Sequence, residues 1–487
     1  MSKKYESVIG LETHIELYTN TKMFCGCKLS FGEESNTHTC PVCLGHPGSL
    51  PVINKKAVEY AIKIALALNC KINKYTIFHR KNYFYPDQAK NYQISQYDLP
   101  LGVGGYLDVD MGDYVRRVGI TRVHMEEDTG KLLHTGKTGR ISESGASVVD
   151  FNRGGTPLVE IVTEPDIRSP EEAKEYLINL RNLVLYLDVG NCNMEEGSLR
   201  CDANISVKKV DQEKIGTKTE IKNLNSFKFL QKGLEYEVKR QISLLESGEK
   251  VIQQTRHYDN KTNTTRLLRS KEEAHDYRYF PEPDLVPMYI ENKVVEDIKH
   301  TIVELPAGKA KRFRKQYSLP KYDSIFIAND KDAAYYFEEC CKFYDNTKNV
   351  SNWIMGDFSS LINKEGVNIK DSKVKPEHLA AMLKMIDSDK ISSKMAKSVF
   401  EEMFNTGKNP QKIIEERGLE QISDRKLLDE VVEEIIKENP GPVEQYRSGK
   451  KKAIGFLMGK VMAKTKGKAN PKMAVDIIVE KLKTKII

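Results

Sequence analysis

Over roughly the first 290 residues, apolar side chains recur at every second position in short runs, and over the remainder they recur at every third or fourth. In Gly10-Leu-Glu-Thr-His-Ile-Glu-Leu17 the alternation puts Leu11, Thr13, Ile15 and Leu17 on one face of a strand and Glu12, His14 and Glu16 on the other. Similar runs, broken by Gly102-Val-Gly-Gly105, Asn152-Arg-Gly-Gly155 and several prolines, predict strands and turns. Gly102–Gly105 itself reads as a turn, or as a weak phosphate-loop candidate. Helical stripes interrupt this pattern at 54–68 (Ala57, Ala61, Ile64, Ala65, Leu68) and after Ser169-Pro-Glu-Glu172 (Leu177, Leu180, Val184, Leu187). A third runs over 226–247 (Phe227, Leu230, Leu234, Val238, Leu245), with Gly248 as its stop.

Past the proline-rich 280–287 segment and a short strand near Met288, the period becomes helical throughout. Pro306, Pro320 and Pro376 separate short helices, and residues 405–410 resemble a boundary. Helices are expected beyond it at 411–417, 424–437, 443–462 and 471–483. The fold class is therefore α+β. A mixed or antiparallel β-rich domain over 1–292 precedes an all-α domain over 293–408 and a small all-α tail over 409–487, with no internal repeat.

Composition narrows the setting. Of 487 residues, 39% are hydrophobic and 30% charged, and no apolar run approaches the ~18 residues of a membrane span. The opening Met-Ser-Lys-Lys-Tyr-Glu lacks the apolar segment of a secretory signal, so a cytoplasmic protein without membrane association is expected. In that compartment nine cysteines point to thiols and metal ligation rather than disulfides. The net charge of +7 is unevenly spread: Arg447 to Lys485 holds twelve Lys or Arg against Asp476 and Glu480. Such a run is either a solvated helical face or a surface for phosphate backbones, with Arg447, Lys450, Lys451 and Lys452 as candidate RNA contacts.

Candidate chemistry gathers in the first domain. Besides Glu12, His14 and Glu16, there is an acidic cluster in His124-Met-Glu-Glu-Asp-Thr-Gly-Lys131, and Glu160 stands in the apolar strand Leu158-Val-Glu-Ile-Val, where an unpaired charge is costly. These carboxylates either serve a cation or pair with the abundant Arg and Lys. Cys25-Gly-Cys27 and Cys40-Pro-Val-Cys43 form two short hooks suited to one tetrahedral zinc, and a site closed by four thiolates is structural. Phe78-His-Arg-Lys-Asn-Tyr-Phe-Tyr-Pro-Asp-Gln88 crowds His79, Arg80 and Lys81 against aromatic rings, as would suit a nucleotide or a phosphorylated end. Arg200, Asp202 and Asn204 share one strand face, as do Lys218, Glu220 and Lys222. Either set is a solvent face or part of a polar basin holding Mg²⁺ by hard oxygens and phosphate by cations. There is no Walker A sequence, no Gly-x-Ser-x-Gly elbow, no N-terminal cysteine nucleophile and no Ser-rich amidase signature, so a nucleophile such as ammonia must come from elsewhere.

Gly-Leu-Glu-Thr-His-Ile-Glu-Leu, Cys-Pro-Val-Cys-Leu-Gly-His-Pro-Gly, His-Met-Glu-Glu-Asp-Thr-Gly-Lys, Gly-Ser-Leu-Arg-Cys-Asp-Ala-Asn and Tyr-Phe-Pro-Glu-Pro-Asp-Leu occur here in order. Together they resemble the B-subunit family of aspartyl/glutamyl-tRNA amidotransferases across essentially the whole chain. The resemblance implies a cradle-like kinase domain, a helical domain and a tail that contacts tRNA. It also implies ATP-dependent phosphorylation of the side-chain carboxylate of Glu-tRNA(Gln) or Asp-tRNA(Asn). Ammonia made from glutamine by an amidase partner, the A subunit, then displaces the phosphate, and a small C subunit fastens that amidase to the kinase chain. By similarity Mg²⁺ would be held by Glu12, His14, Glu126, Glu127 and Glu160. Glu12, His14, Glu127 and Arg200 are then the candidate catalytic residues, and Arg80, Lys81, Arg200, Asp202 and Asn204 are the candidate ATP-binding ones. A noncatalytic RNA-binding scaffold and a free-standing amide ligase using ambient ammonia are the competing readings.

Overall fold

A computed structural model describes residues 4–135, 145–270, 277–419, 422, 424–465 and 467–483, which form two compact units divided after Leu305. Among the described residues of the first unit, twelve strands make one sheet. At its centre Tyr5–Glu16 runs antiparallel to Leu199–Lys209 on one side and to Pro157–Thr163 on the other. Beyond Pro157–Thr163 come Val115–Glu127, Tyr92–Ser95, His79–Asn82 and Phe280–Pro281. Beyond Leu199–Lys209 come Thr219–Lys222, Gln254–Asp259 and Thr264–Ser270, and the pair formed by the first two of these is parallel.

One face of this sheet is the core. Leu11, Ile15, Val159, Ile161, Ala203 and Ile205 pack with Ala61, Ile64, Leu177, Leu180 and Leu234 from three helices. Those helices begin where their caps dictate: Asn54 accepts from two backbone N–H groups of Lys55–Ala67, Ser169 from Glu172 N ahead of Pro170, and Ser226 from Phe229 N. Gly248 adopts φ +81° beyond the third. The first unit runs on through the helix Asn292–His300, whose Val295 and Ile298 pack against the same core.

Gly102-Val-Gly-Gly105 is neither turn nor phosphate loop but the start of the strand Gly102–Asp110. Gly102 and Gly105 are there because the strand passes close over the end of the helix Lys55–Ala67: a Cβ on Gly105 would lie 2.4 Å from both Cys70 Sγ and Leu68 O.

The second unit is helical and holds two separate cores. Phe313, Phe337, Phe358, Leu383 and Phe400 belong to one, and Val432, Leu457, Val461 and Ile478 to the other. The helix Pro410–Arg417 gives Ile413 and Ile414 to the former core, not to the tail. The single helix expected over 443–462 is two, Pro440–Arg447 and Ala453–Lys464. Gly449 at φ +96° breaks it, and the three adjacent lysines that follow disfavour bridging the gap.

Candidate functional site

On the sheet face opposite the core, cross-strand register builds the site. His14 lies between Glu160 and Arg200, and Glu160 in turn pairs with His124, so four polar residues form one row across four strands. Glu12 pairs with Asp202 in the next row, and Ser95 with Glu126. Side chains directly opposite on neighbouring strands stand about 5 Å apart, and the outcome is a dense cluster. His14 Nε2 is 3.2 Å from Glu160, 3.4 Å from Glu126 and 3.9 Å from Glu12. Ligand atoms of Glu12, His14 and Glu160 lie within 4.8 Å of one another, as do those of His124, Glu126 and Glu160.

The row forms the floor of a basin of about 940 Å³ that also takes in Lys81, Arg122, Asp128, Arg200, Asp202, Glu220 and Lys222. Six carboxylates face four Lys or Arg there, an excess that one divalent cation would neutralise. The electrostatics carry the same signature. Burial alone would lower His14, but its hydrogen bond to Glu160 and the charges of Glu126, Glu160 and Glu12 hold it up at about 9. Burial and then the Glu160 charge raise Glu12. Burial would also raise Glu160, yet His124, His14 and Lys81 keep it below the usual carboxylate range. A proton on His14 thus does part of what a metal ion would do, and a metal bound there would displace it. The Nδ1 of buried His124 has no hydrogen-bond partner among the described residues.

Two of the expected residues turn their side chains away from the basin. Glu127 follows Val123 and Met125 onto the core-side face of its strand, where its carboxylate pairs with Lys90 and accepts from Ile94 N at 3.0 Å. Glu126 takes the place in the basin, so the pair is corrected in favour of Glu126. Alternation through Val123-His-Met-Glu-Glu127 already carried that signal. Arg80 is likewise turned from the basin, forked onto Glu282 at 2.7 and 2.8 Å and reaching Asp284 at 3.2 Å, while its neighbour Lys81 faces the basin.

Arg200 is in the basin but held: Nη1 donates to Asp128 Oδ1 at 3.1 Å and Nη2 lies 2.9 Å from Oδ2. Glu16 sits beside this pair, pushed up to about 8 by burial and then by the Asp128 charge. Asp202 is 2.5 Å from Lys222, which also reaches Glu220 at 3.2 Å. Asn204 and Lys218 fall outside the basin, in a second pocket of about 310 Å³ along Tyr5–Glu16 that shares Glu12 and is walled by Val8, Leu11, Val162 and Ile215. Arg122, Tyr277 and Tyr279 also line the basin without having been singled out in the sequence. The alternation Tyr277-Arg-Tyr279 was the available sign.

Away from the basin, the sulfurs of Cys25, Cys27, Cys40 and Cys43 lie within 4.8 Å of one another, close enough to hold a metal ion. Cys43 is held down at about 4, chiefly by a hydrogen bond from Cys25 and against the cost of burial, then by Cys40 N–H and the Lys22 ammonium. Lys22 is fully buried and bonds Phe151 O at 3.0 Å as well as Cys43 Sγ at 3.6 Å. This donor set, four sulfurs within reach of one another with a buried cation beside them, fits a metal ion held by four cysteines. In the tail, Arg447, Lys450, Lys451 and Lys452 are all exposed at the break between two helices, and no ion pair among the described residues involves them. Lys464 and Lys481, by contrast, are paired with Glu434 and Asp429. Lys466 and Lys485 lie outside the described residues. No helix among the described residues is long and apolar enough to cross a membrane.

Two family models match the chain. Residues 7–296 match the family model of the GatB/GatE catalytic domain, and residues 335–482 match that of the GatB domain. The B subunit of aspartyl/glutamyl-tRNA(Asn/Gln) amidotransferase from Carboxydothermus hydrogenoformans is 53% identical over 480 residues, covering 99% of both chains. The protein of the same name from Caldanaerobacter subterraneus is 53% identical over 479 residues (98% of this chain, 99% of the relative), and that from Persephonella marina is 51% identical over 481 (99% and 100%).

Proposed function

The chain belongs to the GatB family of amidotransferase B subunits, and from that membership we propose that it amidates misacylated tRNA, with the basin as the place where the carboxylate is activated. ATP transfers its γ-phosphoryl group to a side-chain carboxylate oxygen of Glu-tRNA(Gln) or Asp-tRNA(Asn), leaving ADP. Ammonia then attacks the acyl carbon, phosphate departs with the electron pair of the C–O bond, and a proton is lost as the amide forms. A glutaminase partner, the A subunit, supplies the ammonia, and a small C subunit completes the assembly.

The observation that carries this reading is the row Arg200, His14, Glu160 and His124 with Glu12 and Glu126 on either side. Hard oxygen and imidazole donors converge there inside a ring of cations, as phosphoryl transfer requires. Glu12, His14, Glu126 and Glu160 would hold Mg²⁺, which supplies charge neutralisation for the transferred phosphoryl group. Lys81 and Arg200, the latter anchored by Asp128, orient phosphate, with Asp202 in the same basin. The pocket containing Asn204 is of a size that suits a small molecule, and its apolar walls and shared Glu12 fit it for the nucleoside of ATP. Glu127 and Arg80 are not part of this set, since both side chains turn away from the basin, to Lys90 and Glu282.

Cys25, Cys27, Cys40 and Cys43 hold a structural zinc, and Arg447, Lys450, Lys451 and Lys452 contact tRNA in a tail domain following the helical one. The cytoplasm, where aminoacyl-tRNA is used, is the compartment in which such a protein works.

The test is an assembled complex given ATP, glutamine and Glu-tRNA(Gln) or Asp-tRNA(Asn), with ADP and aminoacyl identity followed together. ATP cleavage should depend on the misacylated tRNA and yield an equal amount of amide. Cleavage indifferent to tRNA, or amide formed by this chain alone from ammonium, would exclude the reading.

A further inference from the structure

One feature of the basin has no part in holding metal or phosphate: its far wall is aromatic. Tyr97 and Tyr279 are stacked, with centroids 4.1 Å apart and planes 6° from parallel. The row continues edge-on from Tyr279 to Tyr277 at 6.0 Å and from Tyr277 to Tyr83 at 6.2 Å, while His79 lies edge-on to Tyr97 at 6.0 Å. All four tyrosines line the basin, and Lys81 Nζ sits 5.3 Å from the Tyr277 ring. The outermost stacked ring, Tyr97, is 55% exposed. A contiguous aromatic row that includes a half-exposed stacked ring, in an otherwise polar and charge-rich basin, has the form of a stacking platform.

We propose that this tyrosine row seats the unpaired 3′ end of the aminoacyl-tRNA, with a terminal base stacked on Tyr97 and the esterified side chain directed toward the carboxylate cluster. The inference rests on the amidation reading above. That reaction requires a carboxylate carried on a single-stranded nucleotide end to reach the His14 cluster, and the row lines the same basin as the cluster. Aromatic faces bind any base, so they suit an end that is common to all substrates. The other nucleoside in the reaction, that of ATP, is assigned above to the apolar pocket on the central strands, away from the edge where Tyr279 precedes Phe280–Pro281. Lys81 faces both the rings and the acids, placing a cation where the terminal phosphodiester enters.

The assembled amidotransferase complex carrying Tyr97→Ala, Tyr97→Phe or Tyr279→Ala tests this. For Tyr97→Ala the KM for Glu-tRNA(Gln) should rise roughly 5- to 150-fold, the range that base–aromatic stacking supplies, while the KM for ATP stays put. Tyr97→Phe keeps the ring and should recover most of the tRNA affinity that Tyr97→Ala loses. In a second arm, uncharged tRNA with and without its 3′-terminal nucleotide competes with the substrate. Wild type should prefer the intact end, and Tyr97→Ala should lose that preference. A rise in the KM for ATP instead would give the row to the adenine of ATP and overturn the proposal. So would an unchanged KM for tRNA in the alanine variants, or a wild-type complex indifferent to the terminal nucleotide, an arm that needs no variant to fold. A wild-type complex that makes no amide at all would overturn the amidation reading itself, which is a separate result.

Discussion

Adjacent glutamates 126 and 127 should fail in different ways when each is changed to glutamine. Glu127 and Lys90 form an ion pair whose side chains are only 5% and 9% exposed, and the same carboxylate accepts from Ile94 N. Glu127→Gln keeps the volume but leaves the Lys90 ammonium buried without its counter-charge, a change that typically costs about 3–5 kcal/mol. Spread over the 305 residues of the first unit, at about 2 cal/mol/K per residue, that cost corresponds to a fall in Tm of roughly 5–8 °C. Glu126→Gln acts on the opposite balance. It removes one of three carboxylates around His14 Nε2 in a basin already rich in acids, so repulsion is relieved as one attraction is lost. Its effect on metal-free stability should stay within about 1 kcal/mol, or 1–2 °C. Its effect on chemistry should be severe, because an anionic oxygen is missing where Mg²⁺ is held: tRNA-dependent ATP cleavage in the assembled complex should fall by about 10²-fold or more. Scanning calorimetry of the metal-free protein and paired ADP and amide assays at saturating Mg²⁺ read both quantities. If Glu127→Gln melts with wild type, or if Glu126→Gln retains full ATP cleavage, the placement of the two side chains on opposite faces is wrong.

Three other outcomes are expected. Purified under reducing, chelator-free conditions, the protein should carry about one zinc per chain; Cys40→Ser should lower both metal content and Tm before it lowers amidation in the surviving folded fraction, and a metal-free wild type would remove the claim. Glu16, raised to about 8 from the ordinary 4.5, adds stability that is complete below about 4.5 and is lost as pH rises through about 8. Glu16→Gln should therefore flatten the decline in stability of the metal-free protein between those pH values, and an unchanged slope in denaturant titrations would show that the proton resides elsewhere. Replacing Lys450, Lys451 and Lys452 together by alanine should weaken tRNA binding by the complex and reduce the slope of log K against log salt by roughly 2–3. An unaltered slope would mark these lysines as merely solvated.

What the sequence determined by itself was local. Period-two alternation put Glu12, His14 and Glu16 on one face and Leu11 and Ile15 on the other, because strand geometry leaves no alternative once one face must be buried. Caps at Asn54, Ser169 and Ser226 fixed three helices, since the groups they satisfy lie within three residues along the chain. Paired cysteine hooks were legible for the same reason. The same local rule, followed one strand further, separates Glu126 from Glu127 and Lys81 from Arg80.

Tertiary structure decided what each charged group meets. His14 became the centre of three carboxylates only because strands starting at residues 5, 115, 157 and 199 align in one register, and no spacing within a single segment encodes that alignment. Lys90 claimed Glu127, and Glu282 claimed Arg80, across 37 and 202 residues of chain. Electrostatic attraction and burial depend on distance in space, whereas sequence patterns report distance along the chain. The faces of this protein could therefore be read from the sequence, and the partners across those faces could not.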